Sequence, residues 1–270
     1  MDKQIGSEVL VNVILDRSGS MNSNRKGTID GYNEYLSGLK ADTNTQYNVT
    51  LTQFDAPMTA PELTVCYVDK PLAEVPDLTL ETYVPRGNTP LYDAIGETIR
   101  RVGDTKDRPV LCVVITDGME NASTEFDKAA VKALIQQKEA ESWKFVFLGA
   151  NIDSIQVGGS MGVAAGASAN YAPGNEQKLF RNMACSTQSY AQTVRSHGLQ
   201  AAMCKSMFSE EQRHDLMDHS NIAPSPPTKR QMRPNPPVPP AKVAGRPFQG
   251  SRTDGQAKQR TKWVTSGPGA

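Results

Sequence analysis

Asp16, Ser18 and Ser20 lie two residues apart in the run Asp16-Arg17-Ser18-Gly19-Ser20. Alternate positions of an extended turn face the same way, so one carboxylate and two hydroxyls can converge. Asp117, in Thr116-Asp117-Gly118, is a second carboxylate placed just after an apolar run. Thr89, in Arg86-Gly87-Asn88-Thr89-Pro90, is a third hydroxyl placed just before a helical pattern. All five are hard oxygen donors, with no Cys or His among them. Such a shell suits magnesium, manganese or calcium rather than zinc. Two carboxylates balance a divalent ion and hydroxyls add no charge. The ion therefore keeps Lewis acidity for one more ligand, which a partner's carboxylate can supply.

Three distant segments must reach one rim for this to happen, and the surrounding patterns show how. Glu8 to Asp16 is almost continuously apolar and branched, the mark of a strand buried on both faces of a parallel sheet. Val110 to Thr116 and Lys144 to Leu148 read the same way. Ile29, Tyr32, Leu36 and Leu39 form a helical stripe, as do Leu91, Ile95, Ile99 and Val102 behind Pro90. Gln46 to Phe54 alternates, and Glu62 to Val68 follows too closely for a crossover helix, so that pair is expected to be antiparallel. A helix is expected at 125–141, capped from Asn121 to Thr124, then a short strand at 168–171 and a closing helix at 175–196. Residues 209–217 form a further helical piece. Strands alternating with helices predict an α/β, Rossmann-like doubly wound sheet, in which ligands sit beyond the carboxyl ends of the strands.

Composition divides the chain. Of its 29 basic and 29 acidic residues, residues 222–270 hold nine basic and one acidic, leaving 20 and 28 for residues 1–221. An acidic body of charge −8 thus precedes a basic segment of charge +8. That segment carries ten of the 18 prolines and few large apolar side chains, which predicts a disordered tail. No apolar run is long enough to span a membrane. The start Met1-Asp2-Lys3-Gln4 lacks the marks of a secretory signal, and Cys66, Cys112, Cys185 and Cys204 form no C-x-x-C pair. The expectation is a cytoplasmic protein with reduced thiols, those of Cys66 and Cys112 in the core.

With Asp16-x-Ser18-x-Ser20, Thr89 and Asp117-Gly118 in this order, the chain resembles the von Willebrand factor type A (VWA) domain over residues 6–196. Thr116-Asp117-Gly118-Met119-Glu120-Asn121 and Phe147-Leu148-Gly149-Ala150-Asn151 are similar to segments of small stand-alone bacterial and phage members. The resemblance implies a six-stranded sheet of order 3-2-1-4-5-6 and a complete metal-ion-dependent adhesion site at the ends of the first and fourth strands. It implies Ser18 and Ser20 as direct ligands. It further implies that Asp16 is held partly through water or hydrogen bonds, and that Thr89 and Asp117 exchange direct and water-mediated roles when ligand binds. Residues 197–221 then form a helical extension or linker, and 222–270 the tail.

Competing readings are plainer. The five residues can be ordinary caps and turn formers. Asn151 and Asp153 fit a helix cap better than an extended rim, and Arg17 and Glu120 fit solvated loop charges better than recognition residues. A haloacid-dehalogenase-type phosphatase needs an acid where Ser18 stands. A serine hydrolase needs a base, and the only histidines, His197, His214 and His219, fall beyond the sheet. His214, Asp215, Asp218 and His219 read as a polar helix face rather than a metal cluster. Neither phosphate-binding glycine motif is present. In the tail, Arg233, Pro236 and Pro239, or Pro237, Pro240 and Lys242, fit the polyproline-recognition code, and Lys258 to Trp263 joins charge to an aromatic.

The expected function is therefore a non-enzymatic, divalent-metal-dependent protein-binding module. Its partner is a protein with an exposed Asp or Glu, such as an AAA+ ATPase or another complex of the kind the resembled family works beside. The alternative is a nucleic-acid-associated protein that binds through its basic tail with the folded body as scaffold.

Overall fold

The structure is a computed structural model of the 270-residue chain and describes residues 8–57, 62–105 and 108–218. The expectations for the tail, and for His219, lie outside the described residues.

Six strands form one sheet of order β3-β2-β1-β4-β5-β6. They are β1 (Glu8–Asp16), β2 (Gln46–Asp55), β3 (Glu62–Pro71), β4 (Val110–Thr116), β5 (Trp143–Ala150) and β6 (Ser168–Tyr171). All pairings are parallel except β2 with β3, which is antiparallel. The sheet order and the antiparallel third strand are both as expected. Strands β1, β4 and β5 lie in the sheet interior and are buried along almost their whole length. That is why their sequences run apolar at consecutive positions instead of alternating. At the edge, β3 alternates, and its Cys66 is exposed, so the core-thiol expectation holds for Cys112 alone. One face of an edge strand is open to water, and Cys66 lies on it beside a register shift in the β2–β3 ladder.

The helices are α1 (Arg25–Ala41), α2 (Leu91–Val102), α3 (Lys128–Ala140), α4 (Ser154–Ser160), α5 (Glu176–His197), α6 (Leu199–Cys204) and α7 (Glu210–Met217). The crossovers β1–α1–β2 and β4–α3–β5 run in opposite directions from the sheet centre. Right-handed connections therefore put α1 and α3 on opposite faces. The α1 stripe is buried, and Tyr32 and Tyr35 pack their rings on Phe180 of α5 at 6.2 and 6.4 Å between centroids. Fully burying one such aromatic side chain contributes about 2–3 kcal/mol.

One local expectation needs correction. The helix expected at 125–141 starts at Lys128, with Asp127 as its cap, accepting from the Ala130 amide at 2.8 Å. Residues 121–124 are spent elsewhere, around the start of α2. Beyond α5, the chain stays on the body. Lys144 Nζ, buried on β5, donates to the carbonyls of Ala202, Met203 and Lys205 at 3.1, 2.7 and 2.7 Å and closes the end of α6. Helix α7 opens on a Ser209–Gln212 capping box, and its Leu216 carbonyl accepts from the Ala172 amide just past β6.

Candidate metal site

Strand β1 sits between β2 and β4, where the strand order reverses, so the loops after β1 and β4 leave the sheet side by side. Asp16 ends β1 and is fully buried. Its Oδ1 accepts from the Ser18 amide at 2.6 Å and its Oδ2 from Thr116 Oγ1 at 2.6 Å. Ser18 Oγ lies 3.1 Å from Ser20 Oγ, and Ser20 Oγ donates to Asp117 Oδ1 at 2.5 Å. The spacing by two therefore converges, and it converges on the second aspartate.

Thr89 joins through Gly118. A Cβ on Gly118 would stand 3.1 Å from Thr89 Oγ1 and 3.7 Å from Ser20 Oγ, so the bare glycine leaves the space between these oxygens open. Thr89 itself is held by a reciprocal pair: its amide donates to Asn121 Oδ1 at 2.8 Å, and its carbonyl accepts from the Asn121 amide at 3.1 Å. All five predicted residues thus stand at one rim. Ser20 is exposed while Asp16, Ser18, Thr89 and Asp117 are buried.

The electrostatics of the rim are unfavourable for the protein alone. Burial, countered in part by hydrogen bonds from Thr116 and Ser18, pushes the Asp16 carboxyl up to about 6, and the negative charge of Asp117 adds to the rise. Burial also raises Asp117. No basic side chain among the described residues pairs with either. Among those residues, no three His, Cys, Asp or Glu side chains are arranged to hold an ion. A cation here must rely on hydroxyls as much as carboxylates. The donor set and the space beside Gly118 fit a hard divalent ion such as magnesium.

Gly118→Ala is expected to weaken magnesium binding about tenfold, roughly 1.4 kcal/mol, with far-ultraviolet circular dichroism unchanged. The added methyl meets Thr89 Oγ1, and Gly118 needs no left-handed backbone. Calorimetric titration checks it; unchanged affinity would show that the space beside Gly118 is not used.

Several residues that position the site give no periodic signal in the sequence. Arg17 is buried, not solvated: its Nη2 donates to Asp55 Oδ1 at 2.5 Å. Arg86 Nε donates to Asp55 Oδ2 at 2.6 Å, and the Arg86 amide donates to the Arg17 carbonyl at 2.8 Å. Gly87 has φ of +66°, and a Cβ there would fall 2.2 Å from the Ala56 carbonyl oxygen, so this close crossing needs glycine. Tyr83, fully buried, donates to the Asp16 carbonyl at 2.6 Å. Glu120 is engaged by the backbone rather than freely solvated. Its carboxylate accepts from the amides of Tyr92, Ala122 and Ser123 at 2.9, 2.8 and 2.7 Å. Asp93 returns the favour, accepting from the amides of Thr124, Glu125 and Phe126. Thr89 and Asp117 are therefore locked together through capping of α2. Asp153 caps α4 by accepting from the Gln156 amide at 3.0 Å, as expected.

No protein-family model and no curated protein matches the chain. Solved structures do. The von Willebrand factor domain of the type V pilus tip protein Mfa5 from Porphyromonas gingivalis matches with a TM-score of 0.52 at 11% identity, over 68% of this chain and 96% of that one. The pilus adhesin SpaC from Lactobacillus rhamnosus GG matches with a TM-score of 0.50 at 12% identity, over 66% of this chain and 30% of that one. Proximal thread matrix protein 1 of the mussel byssus follows at 0.48 and 10% identity, over 66% of this chain. The match spans 45% of that mussel protein and 43% of a von Willebrand factor type A protein from Catenulispora acidiphila. The chain has the VWA fold, and similarity at these identities speaks to fold alone. No helix among the described residues is long and apolar enough to cross a membrane.

Proposed function

We propose that the chain is a non-enzymatic protein-binding module that captures an acidic side chain of its partner through a divalent cation, magnesium foremost. The observation that carries this reading is the convergence of Asp16, Ser18, Ser20, Thr89 and Asp117, with two buried carboxylates that no basic residue among the described residues neutralises. When bound, the cation supplies a Lewis-acidic centre that a partner carboxylate can ligate. The chain's own residues do the rest. Ser18, Ser20 and Thr89 offer neutral oxygens, and Asp117 offers a charged one. Asp16, its oxygens already engaged by Ser18 and Thr116, orients the serine turn and adds negative charge from behind. A VWA fold, common in protein-interaction domains, agrees with this role; an AAA+ ATPase or another multi-subunit assembly is the class of partner we favour.

The test pairs chelation with mutation. Asp16→Ala combined with Asp117→Ala, or excess EDTA, is expected to abolish magnesium binding and partner capture, while circular dichroism reports an intact fold. Capture that survives both treatments would sink the proposal.

A further inference from the structure

Six large apolar side chains are exposed among the described residues: Val68, Leu80, Val84, Met119, Ile155 and Met217. Val68 lies on the edge strand and Met217 ends α7. Leu80, Val84 and Met119 stand on loops, and Ile155 lies in the first turn of α4. Met119, 66% exposed, directly follows Gly118, the residue that faces Thr89 and Ser20. Val84, 45% exposed, follows Tyr83, whose hydroxyl holds the Asp16 carbonyl, and precedes Arg86, whose amide holds the Arg17 carbonyl. Met119 thus adjoins the oxygen cluster through Gly118, and Val84 stands on the loop whose Tyr83 and Arg86 hold the turn after β1. Leu80 is tied to the start of α1 by Arg25, and Ile155 follows the end of β5.

These side chains do nothing for the core, which Tyr83 and Leu78 already fill from the same loop. A carboxylate that replaces water on a cation gains little by itself, because both ligands are well solvated. Affinity at such a centre comes from a surrounding apolar contact that excludes water and leaves the charge attraction unscreened. The cation at the middle calls for a negative charge, and the apolar border calls for neighbours that carry none.

We infer that the partner presents its acidic residue within an apolar stretch, with Met119 and Val84 packing on the side chains that flank it. This rests on the metal-dependent reading above. The experiment pans a random heptapeptide phage library on the immobilised full chain in magnesium and elutes with EDTA. Eluted clones are expected to carry Asp or Glu with Leu, Ile, Val, Met or Phe beside it. Met119→Ser with Val84→Ser is expected to keep the acidic residue in its clones, lose the apolar preference, and bind the original peptides at least about tenfold more weakly. Met119→Gln alone, a milder change at an exposed position, should show part of the same loss, and circular dichroism checks every variant. Acidic clones with random neighbours, or a preference unaltered in the double variant, would overturn this inference and leave the metal reading standing. An absence of EDTA-eluted acidic clones would overturn both.

Discussion

Asp16→Asn is expected to make the metal-free protein more stable at pH 7, by about 3 kcal/mol, and to remove its response to magnesium. The gain follows from the burial of the Asp16 carboxylate, which raises its titration from 3.8 to about 6. Each pH unit of that difference is worth about 1.36 kcal/mol at a pH above both values. A carboxyl that binds its proton more tightly when folded contributes stability that is fully present below pH 3.8 and is lost as pH rises through about 6. The chelated parent therefore weakens across this window. The amide variant has no proton to lose at this position, so this contribution to the slope is gone, while that of other carboxyls such as Asp117, raised in the same direction, stays.

Asparagine also fits the local bonding. Its Oδ1 can accept from the Ser18 amide as Asp16 does. Its Nδ2 can donate to Thr116 Oγ1, whose proton then turns to the Gly118 carbonyl, 3.0 Å away. Magnesium should nearly close the gap. An ion at a hundred times its dissociation constant adds about 2.7 kcal/mol to the parent and nothing to a variant that cannot hold it. Urea denaturation at pH 4 and pH 7, with EDTA and with magnesium, gives all four numbers. A gap of equal size at both pH values, or a variant weaker than the parent in EDTA at pH 7, would contradict the account.

Asp55→Ala should be the most damaging single change outside the apolar core, at about 3–5 kcal/mol. Asp55 is fully buried and accepts from Arg17 at 2.5 Å and Arg86 at 2.6 Å. Removing it strands the Arg17 guanidinium, 8% exposed, without its buried counter-charge. The outer partner Glu62, which accepts from Arg86 at 2.6 Å, is half exposed, so Glu62→Ala should cost under about 1 kcal/mol. The same Asp55 variant should weaken magnesium binding, because Arg17 and Arg86 tie the serine turn to the segment that carries Thr89. Denaturation and calorimetric titration measure the two effects. Equal costs for the Asp55 and Glu62 variants would show that the buried network does not hold the rim.

The candidate site and its scaffold were legible to different degrees. Asp16, Ser18, Ser20, Thr89 and Asp117 could be chosen from the chain because each falls at the end of a pattern with a definite period. Strands β1 and β4 announce themselves by unbroken apolar runs, and α2 by its stripe. Periodicity says where an element stops, and in a parallel sheet the stops of neighbouring strands share one rim. Which helix 121–124 caps is not legible, for the complementary reason. Ser, Thr and Asn are good caps for any helix end that reaches them, and spacing does not reveal which end does. Here they serve α2, thirty residues upstream, instead of α3, the helix that follows.

Sequence alone determined the order of the elements, the hard-oxygen character of the donor set and the turn that converges Ser18 and Ser20, since these depend on local period and side-chain type. Only the tertiary structure decided that Arg17 is buried against Asp55 and that Glu120 and Asp93 lock the Thr89 and Asp117 loops together. It also decided that Tyr83 holds the end of β1, and that Met119 and Val84 are exposed next to residues that build the rim. Each of these joins residues far apart in the chain through a single polar contact or a shared surface. Such pairings carry no period, and their partners become known only when the sheet has brought the loops together.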